Sequence, residues 1–243
     1  MMRNRLAIFL TCGIMARKLQ YRGKDMDQRL RAADGHEFDC WMIAPEGTPR
    51  GGIVVLQEIF GVTAQLKSVA ARYAAQGYCV AIPALFDRQQ PATVLGFDQG
   101  AAGRDLMMQA DIADISRDIA AAIQAVQAIA GKVAVMGFCW GGGLAIHAAQ
   151  HLPVAGAVVF YGTRLPAYAG HPLQVPVLGH FGRHDDHVPM DMLQQAQAEW
   201  PELTVHLYDA GHAFANDARA SYVAAAAELA HARTSDFLAQ VLA

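Results

Sequence analysis

The chain has 243 residues, 53% of them hydrophobic and 17% charged, with a net charge of −3. That balance fits a compact globular protein with a sizeable core and excludes a disordered chain. No basic patch or block of like charges is present, which argues against a nucleic-acid partner. Cys12, Cys40, Cys79 and Cys139 show neither a CxxC pair nor a metal-ligand spacing, so free thiols in a reducing, cytoplasmic setting are expected.

Residues 1–18 read as an N-terminal extension. Arg3 and Arg5 precede an apolar run from Leu6 to Met15, followed by Arg17 and Lys18. The run is too short to span a bilayer and lacks a small-x-small cleavage site, so it is either a short targeting segment or a mis-start with Met15 as the true first residue. From residue 19 onward one domain is expected. Leu19 to Met42 reads as a hairpin with Asp34-Gly35 as a two-residue turn. Ile53 to Leu56 is a continuous apolar run, as a strand buried on both faces requires. Leu66, Val69, Ala70, Tyr73 and Ala74 follow at helical spacing, with Gly77 placed to end that helix. Cys79 to Ile82 is a second buried strand.

Ala84 to Gln109 has no clear period and is long for a connection, which suggests a lid or pocket rim. Ile112, Ile115, Ile119, Ile123, Val126 and Ile129 form a helical stripe closed by Gly131. Strands are expected at Val133–Met136, Val154–Tyr161, Val175–Phe181 and Thr204–Tyr208. Helices are expected after Cys139, over Met190–Trp200 and over Ala218–Leu242. Strands alternating with helices call for an α/β fold: a mostly parallel central sheet with helices on both faces.

The densest motif is Val133 to Gly143, VAVMGFCWGGG. A short apolar strand, a turn with glycine two before and two after Cys139, and a helix start make a nucleophile elbow, with cysteine in place of serine. The helix N-terminus directs free N–H groups and a positive end at the sulfur, favouring thiolate. A phosphate-cradling loop is disfavoured, because no Lys-Ser or Lys-Thr follows the glycines. In such a sheet the site lies beyond the C-terminal strand ends. Glu58, Cys139, Asp185 and His212 occupy such ends, in the chain order nucleophile, acid, histidine of the α/β-hydrolase fold. Cys139 would attack an acyl carbon, His212 would move the proton, and Asp185 would orient the imidazole. Asp186 competes with Asp185 on spacing alone. His184 and His187 bracket the acids, but no further ligand cluster supports a metal. His147, His151 and His231 read as surface or core residues on helices. Glu58, directly after a fully apolar strand, is expected to face Cys139 and accept a hydrogen bond from its neutral thiol.

Four segments together resemble the dienelactone hydrolase family: Gln57-Glu58-Ile59-Phe60-Gly61, Gly137-Phe138-Cys139-Trp140-Gly141-Gly142, Gly182-x-x-Asp185 with Val188-Pro189, and Gly211-His212-Ala213-Phe214. The likeness runs from about Asp34 to the C-terminus. It implies an α/β-hydrolase opening a lactone or ester of aromatic catabolism through a Cys-Asp-His triad, with Asp185 as the acid. It also implies an oxyanion hole from the backbone N–H groups of Ile59 and Trp140, and control of thiolate formation by Glu58. The family arginine that follows the histidine by four positions, pairing with the glutamate and the substrate carboxylate, is replaced here by Asn216. Arg104 is the candidate for a second carboxylate-binding arginine. Arg104, Asn216 and Phe60 are thus the substrate-binding candidates. The expected partner is a small lactone or ester, with no cofactor, metal, nucleic acid or membrane, in a monomer or weak homodimer. A general esterase of neutral esters and a thiol redox sensor on a hydrolase scaffold are the rival readings.

Overall fold

The structure, a computed structural model, describes residues 25–243. The expectations for residues 1–18, and the start of the hairpin, lie outside the described residues.

The buried strands are where the apolar runs are continuous. Strands β3 (Gly52–Leu56), β4 (Cys79–Pro83), β5 (Val133–Phe138), β6 (Ala157–Phe160) and β7 (Val177–Gly182) are buried at every position. The edge strand β1 (Asp25–Arg31) instead alternates exposed and half-buried residues. With β2 (Glu37–Ile43) and β8 (Leu203–Tyr208) they form one eight-stranded sheet, ordered β1-β2-β4-β3-β5-β6-β7-β8. The β1-β2 and β2-β4 pairs are antiparallel and all others are parallel.

Each sheet face carries its own core. On one face α3 (Ile112–Ala130), α4 (Trp140–His151) and α5 (Met190–Glu199) pack with Ile119, Leu144 and Leu193. On the other, α1 (Ala64–Ala74) and α6 (Ala224–Val241) contribute Tyr73, Ala230 and Leu238. The α3 stripe is buried at Ile115, Ile119, Ile123 and Val126, whereas Ile112 is exposed at the helix start. Asp111 caps that helix by accepting from the N–H groups of Ala113 and Asp114.

Three expectations change. The hairpin does not turn on two residues: Ala32 to His36 separates the strands, with Gly35 at φ +89°. Asp34 is a central residue of a turn over residues 32–35, closed by the Gly35 N–H on the Ala32 carbonyl at 2.9 Å, and its carboxylate pairs with Arg88 and Arg117. The segment from Ala84 to Gln109 contains a helix, α2 (Gly100–Gln109). Its Gly103 lies so close to the Ile59 loop that a Cβ would come within 2.0 Å of the Ile59 carbonyl oxygen. The last helix starts at Ala224, not Ala218, because Asn216, Arg219 and Val223 make turn hydrogen bonds with Ala218, Tyr222 and Phe214. Alanine's helix propensity loses there to local turn bonding.

Candidate active site

Cys139 follows β5 at φ 52° and ψ −114°, a backbone conformation that side-chain-bearing residues rarely adopt. The elbow forms because its neighbours are glycines. A Cβ at Gly137 would lie 1.8 Å from the Gly141 carbonyl oxygen, and one at Gly141 would lie 2.3 Å from that of Leu56. The strained turn lifts the sulfur, half-buried, into a cavity of about 720 Å³ beyond the C-terminal strand ends.

Asp185, Glu58 and His212 reach the same region from β7, β3 and β8. Asp185 is buried. Its Oδ1 accepts from the His187 N–H at 2.8 Å, and its Oδ2 is 2.8 Å from His212 Nδ1. Asp186 points to solvent, so the two acids that spacing left open are separated by burial. Burial opposes charge on the His212 imidazole, but Asp185 and the adjacent Cys139 sulfur outweigh it and raise its pKa to about 10. The cluster thus favours an imidazolium next to the sulfur at neutral pH.

The expected thiol hydrogen bond to Glu58 is not formed. Glu58 Oε2 accepts from Asn216 Nδ2 at 2.9 Å, and Oε1 is buried with no hydrogen-bond partner. Burial pushes the Glu58 carboxyl up, against the pull of His212, Asn216, Arg219 and the Tyr161 hydroxyl. The amide of Asn216 satisfies one carboxyl oxygen without neutralising the group, which an arginine would do.

The N–H groups of Ile59 and Trp140 have no hydrogen-bond partner among the described residues. Trp140 is the first residue of α4, where such N–H groups are free by construction. Phe60 and Arg104 line the cavity, while Asn216 is buried behind Glu58. Among the described residues no group of three or more His, Cys, Asp or Glu could hold a metal ion, and no helix is long and apolar enough to cross a membrane.

A sequence model of the dienelactone hydrolase family matches residues 38–242. The chain belongs to the dienelactone hydrolase family. It is 35% identical over 224 residues to a carboxymethylenebutenolidase of Pseudomonas putida, covering 86% of this chain and 94% of that one. It is 28% identical over 224 residues to carboxymethylenebutenolidase 1 of Cupriavidus pinatubonensis, covering 87% and 95%. In fold it is similar to a dienelactone-hydrolase-like promiscuous phosphotriesterase from metagenomic libraries (TM-score 0.71, 24% identity, 90% and 99% covered). It is also similar to a Pyrococcus furiosus esterase (TM-score 0.68, 14% identity, 91% and 94% covered). The sheet with its helices is the α/β-hydrolase fold, and family membership makes the chain a hydrolase of lactone or ester bonds.

Within that family framework, sequence reading passes over Tyr161, Arg164 and Arg219 and weighs His187 only as a metal ligand, yet all four border the candidate centre. Tyr161, at φ 40° after β6, is fully buried with its ring 5.2 Å from that of His212. Its phenol is held well above its usual range by burial first, then by Glu58 and Cys139. The His187 ring lies 4.4 Å from His212. Arg164 and Arg219 line the cavity. Arg219 is half-buried and lies over Phe60 at 5.4 Å and over Phe97 at 5.5 Å, two rings in edge contact. A strand-end position could have flagged Tyr161. Arg219 sits in an alanine-rich run whose helical reading hides it.

Proposed function

We propose that the chain hydrolyses a lactone or carboxylic ester bearing an anionic group, with Cys139 as nucleophile. The observation that carries this reading is the His212 ring, oriented by Asp185 and lining the same cavity as Cys139. Cys139 thiolate attacks the carbonyl carbon, and the Ile59 and Trp140 N–H groups receive the developing oxyanion. As the tetrahedral adduct collapses, His212 protonates the departing oxygen, which leaves a thioester on Cys139. Neutral His212 then takes a proton from water, the hydroxide attacks the thioester, and collapse releases the acid and restores the thiolate. Asp185 fixes the tautomer and steadies the imidazolium throughout.

The anionic preference follows from charge. Arg104, Arg164 and Arg219 border the cavity, and among the described residues no carboxylate forms a salt bridge with any of them. Arg219 is the most sheltered of the three, and its aromatic seat holds the guanidinium in place at low entropic cost. It supplies the cation that position 216 lacks. A substrate carboxylate drawing on Arg219 also removes one of the charges that lower the Glu58 carboxyl. The test is a lactone with a free carboxylate, offered to the wild type and to Cys139→Ala. The variant should lose turnover while keeping its fold, and mass spectrometry should find an acyl adduct on Cys139 in the wild type only. Undiminished hydrolysis by the variant refutes the mechanism.

A further inference from the structure

A second chamber of about 310 Å³ adjoins the catalytic cavity, at the lower end of the size of ligand pockets. The two share Met107 and Arg164 as their common boundary. Its inner wall is the Trp140 side chain, stacked on Phe86 with ring centroids 5.3 Å apart, so the residue whose N–H faces the reaction presents its indole here. Leu144 and Ile115 extend that apolar wall, and the exposed Ile112 lies at its edge.

The opposite side is polar. His147 and His151 are one turn apart on α4 with ring centroids 4.7 Å apart, and His171 is 5.0 Å from His151. Burial, then His151 and His171, pushes the His147 imidazole down to about 4, so it is neutral at physiological pH. The three rings are not arranged to hold a metal ion. Gln150, buried on the same helix, donates from Nε2 to the carbonyls of Tyr168 at 2.9 Å and His171 at 2.8 Å. Those two bonds fix the amide's orientation and leave Oε1 buried with no partner. An acceptor left so is costly and invites a donor.

The boundary is adjustable. Met107 is an unbranched side chain that fills or vacates space readily. Arg164 stands in the left-handed region at φ 60° and ψ 26°, and among the described residues it has no salt-bridge partner. Backbone strain of this kind at a cavity edge is a mark of functional constraint.

We propose that the chamber is a second subsite of the same cleft, taking a neutral, hydroxyl-bearing aromatic ring as the far portion of an extended ester whose carbonyl sits at Cys139. The ring lies against Trp140 and Leu144, and its hydroxyl meets the imidazoles and Gln150. The ester part of this statement rests on the hydrolytic reading above; the binding of the ring does not.

The probe is 2-naphthol, titrated by calorimetry into the full chain carrying Cys139→Ala. Saturable one-to-one binding is expected. Ala110→Trp and Ala167→Trp, which fill the chamber from opposite walls, should each weaken it at least tenfold. In the chain with Cys139 intact, the same two substitutions should lower kcat/KM for 2-naphthyl acetate through KM. Circular dichroism establishes that each variant is folded, and either folded variant suffices to decide. Absence of saturable naphthol binding, or binding that a folded tryptophan variant retains in full, overturns the proposal. Continued ester turnover in Cys139→Ala would remove the thiol mechanism and leave the chamber's ring binding untouched.

Discussion

The side-chain amide of Asn216 donates to Glu58 Oε2 at 2.9 Å, and both residues are buried. The amide cannot flip, because its Oδ1 accepts from the Ala218 N–H at 3.1 Å. A neutral donor therefore holds the buried Glu58 carboxyl, and the nearby cation, Arg219, is free to meet a ligand.

Replacing Asn216 with leucine takes the donor from a buried carboxyl oxygen. An unsatisfied buried group costs about 1–3 kcal/mol. Chemical denaturation should show a loss in that range at neutral pH, shrinking in acid as Glu58 becomes protonated. A loss that does not change with pH would mean that packing, rather than the hydrogen bond, dominates at this position.

Arg219→Gln keeps a side chain of similar reach and removes the charge. A charge-assisted contact is worth about 1.5–3 kcal/mol, roughly 10- to 100-fold in affinity. KM for a carboxylate-bearing lactone should rise by that factor, with little change for a neutral ester of the same size. Equal losses on both substrates would place Arg219 in the cavity's architecture and not in recognition of charge.

The sheet was legible because its strands are buried on both faces and so read as unbroken apolar runs at Ile53, Cys79 and Val133. The elbow was legible because backbone crowding at Gly137 and Gly141 admits no other residue. What stayed hidden depends on contacts between segments far apart in the chain. Helix α2 has a single buried residue, Gly103, and hence no apolar stripe to read. Arg219 is brought to the cavity by turn bonds through Asn216 and Val223 that override an alanine-rich pattern. The partner of Glu58 was misread for the same reason, since Asn216 lies 158 residues away in sequence.

The pH dependence of stability follows from two groups raised above their ordinary values. The imidazole of His212 is raised from 6.5 to about 10, so its contribution to stability is complete below pH 6.5 and is lost as pH rises towards 10. Wild type should therefore lose stability between about pH 6.5 and pH 10, and Cys139→Ala should lose less, because the sulfur is one cause of the rise. Imidazole proton shifts followed by NMR should report a lower His212 pKa in that variant. Identical titration with and without the sulfur would mean that the two side chains do not interact.

Glu58 is raised mainly by burial, so at neutral pH its ionised form opposes folding. Glu58→Gln preserves the shape and an acceptor for Asn216. The variant should be more stable than wild type above the ordinary carboxylate range and no more stable in acid, while its hydrolysis slows. A site that costs stability in this way is one kept for activity.

The strain at Cys139 gives the most direct separation of structure from chemistry. A non-glycine residue at φ 52° and ψ −114° costs on the order of 1–3 kcal/mol. Glycine adopts such a conformation without a Cβ clash, although it adds entropy to the unfolded chain at about 0.5–1 kcal/mol. Cys139→Gly should thus unfold at the same denaturant concentration as wild type or a higher one, whereas Cys139→Ala, which keeps the Cβ, should gain nothing. Both should be inactive. If Cys139→Gly were clearly less stable than Cys139→Ala, the turn would be relaxed in solution, and the sulfur would not be held where His212 can use it.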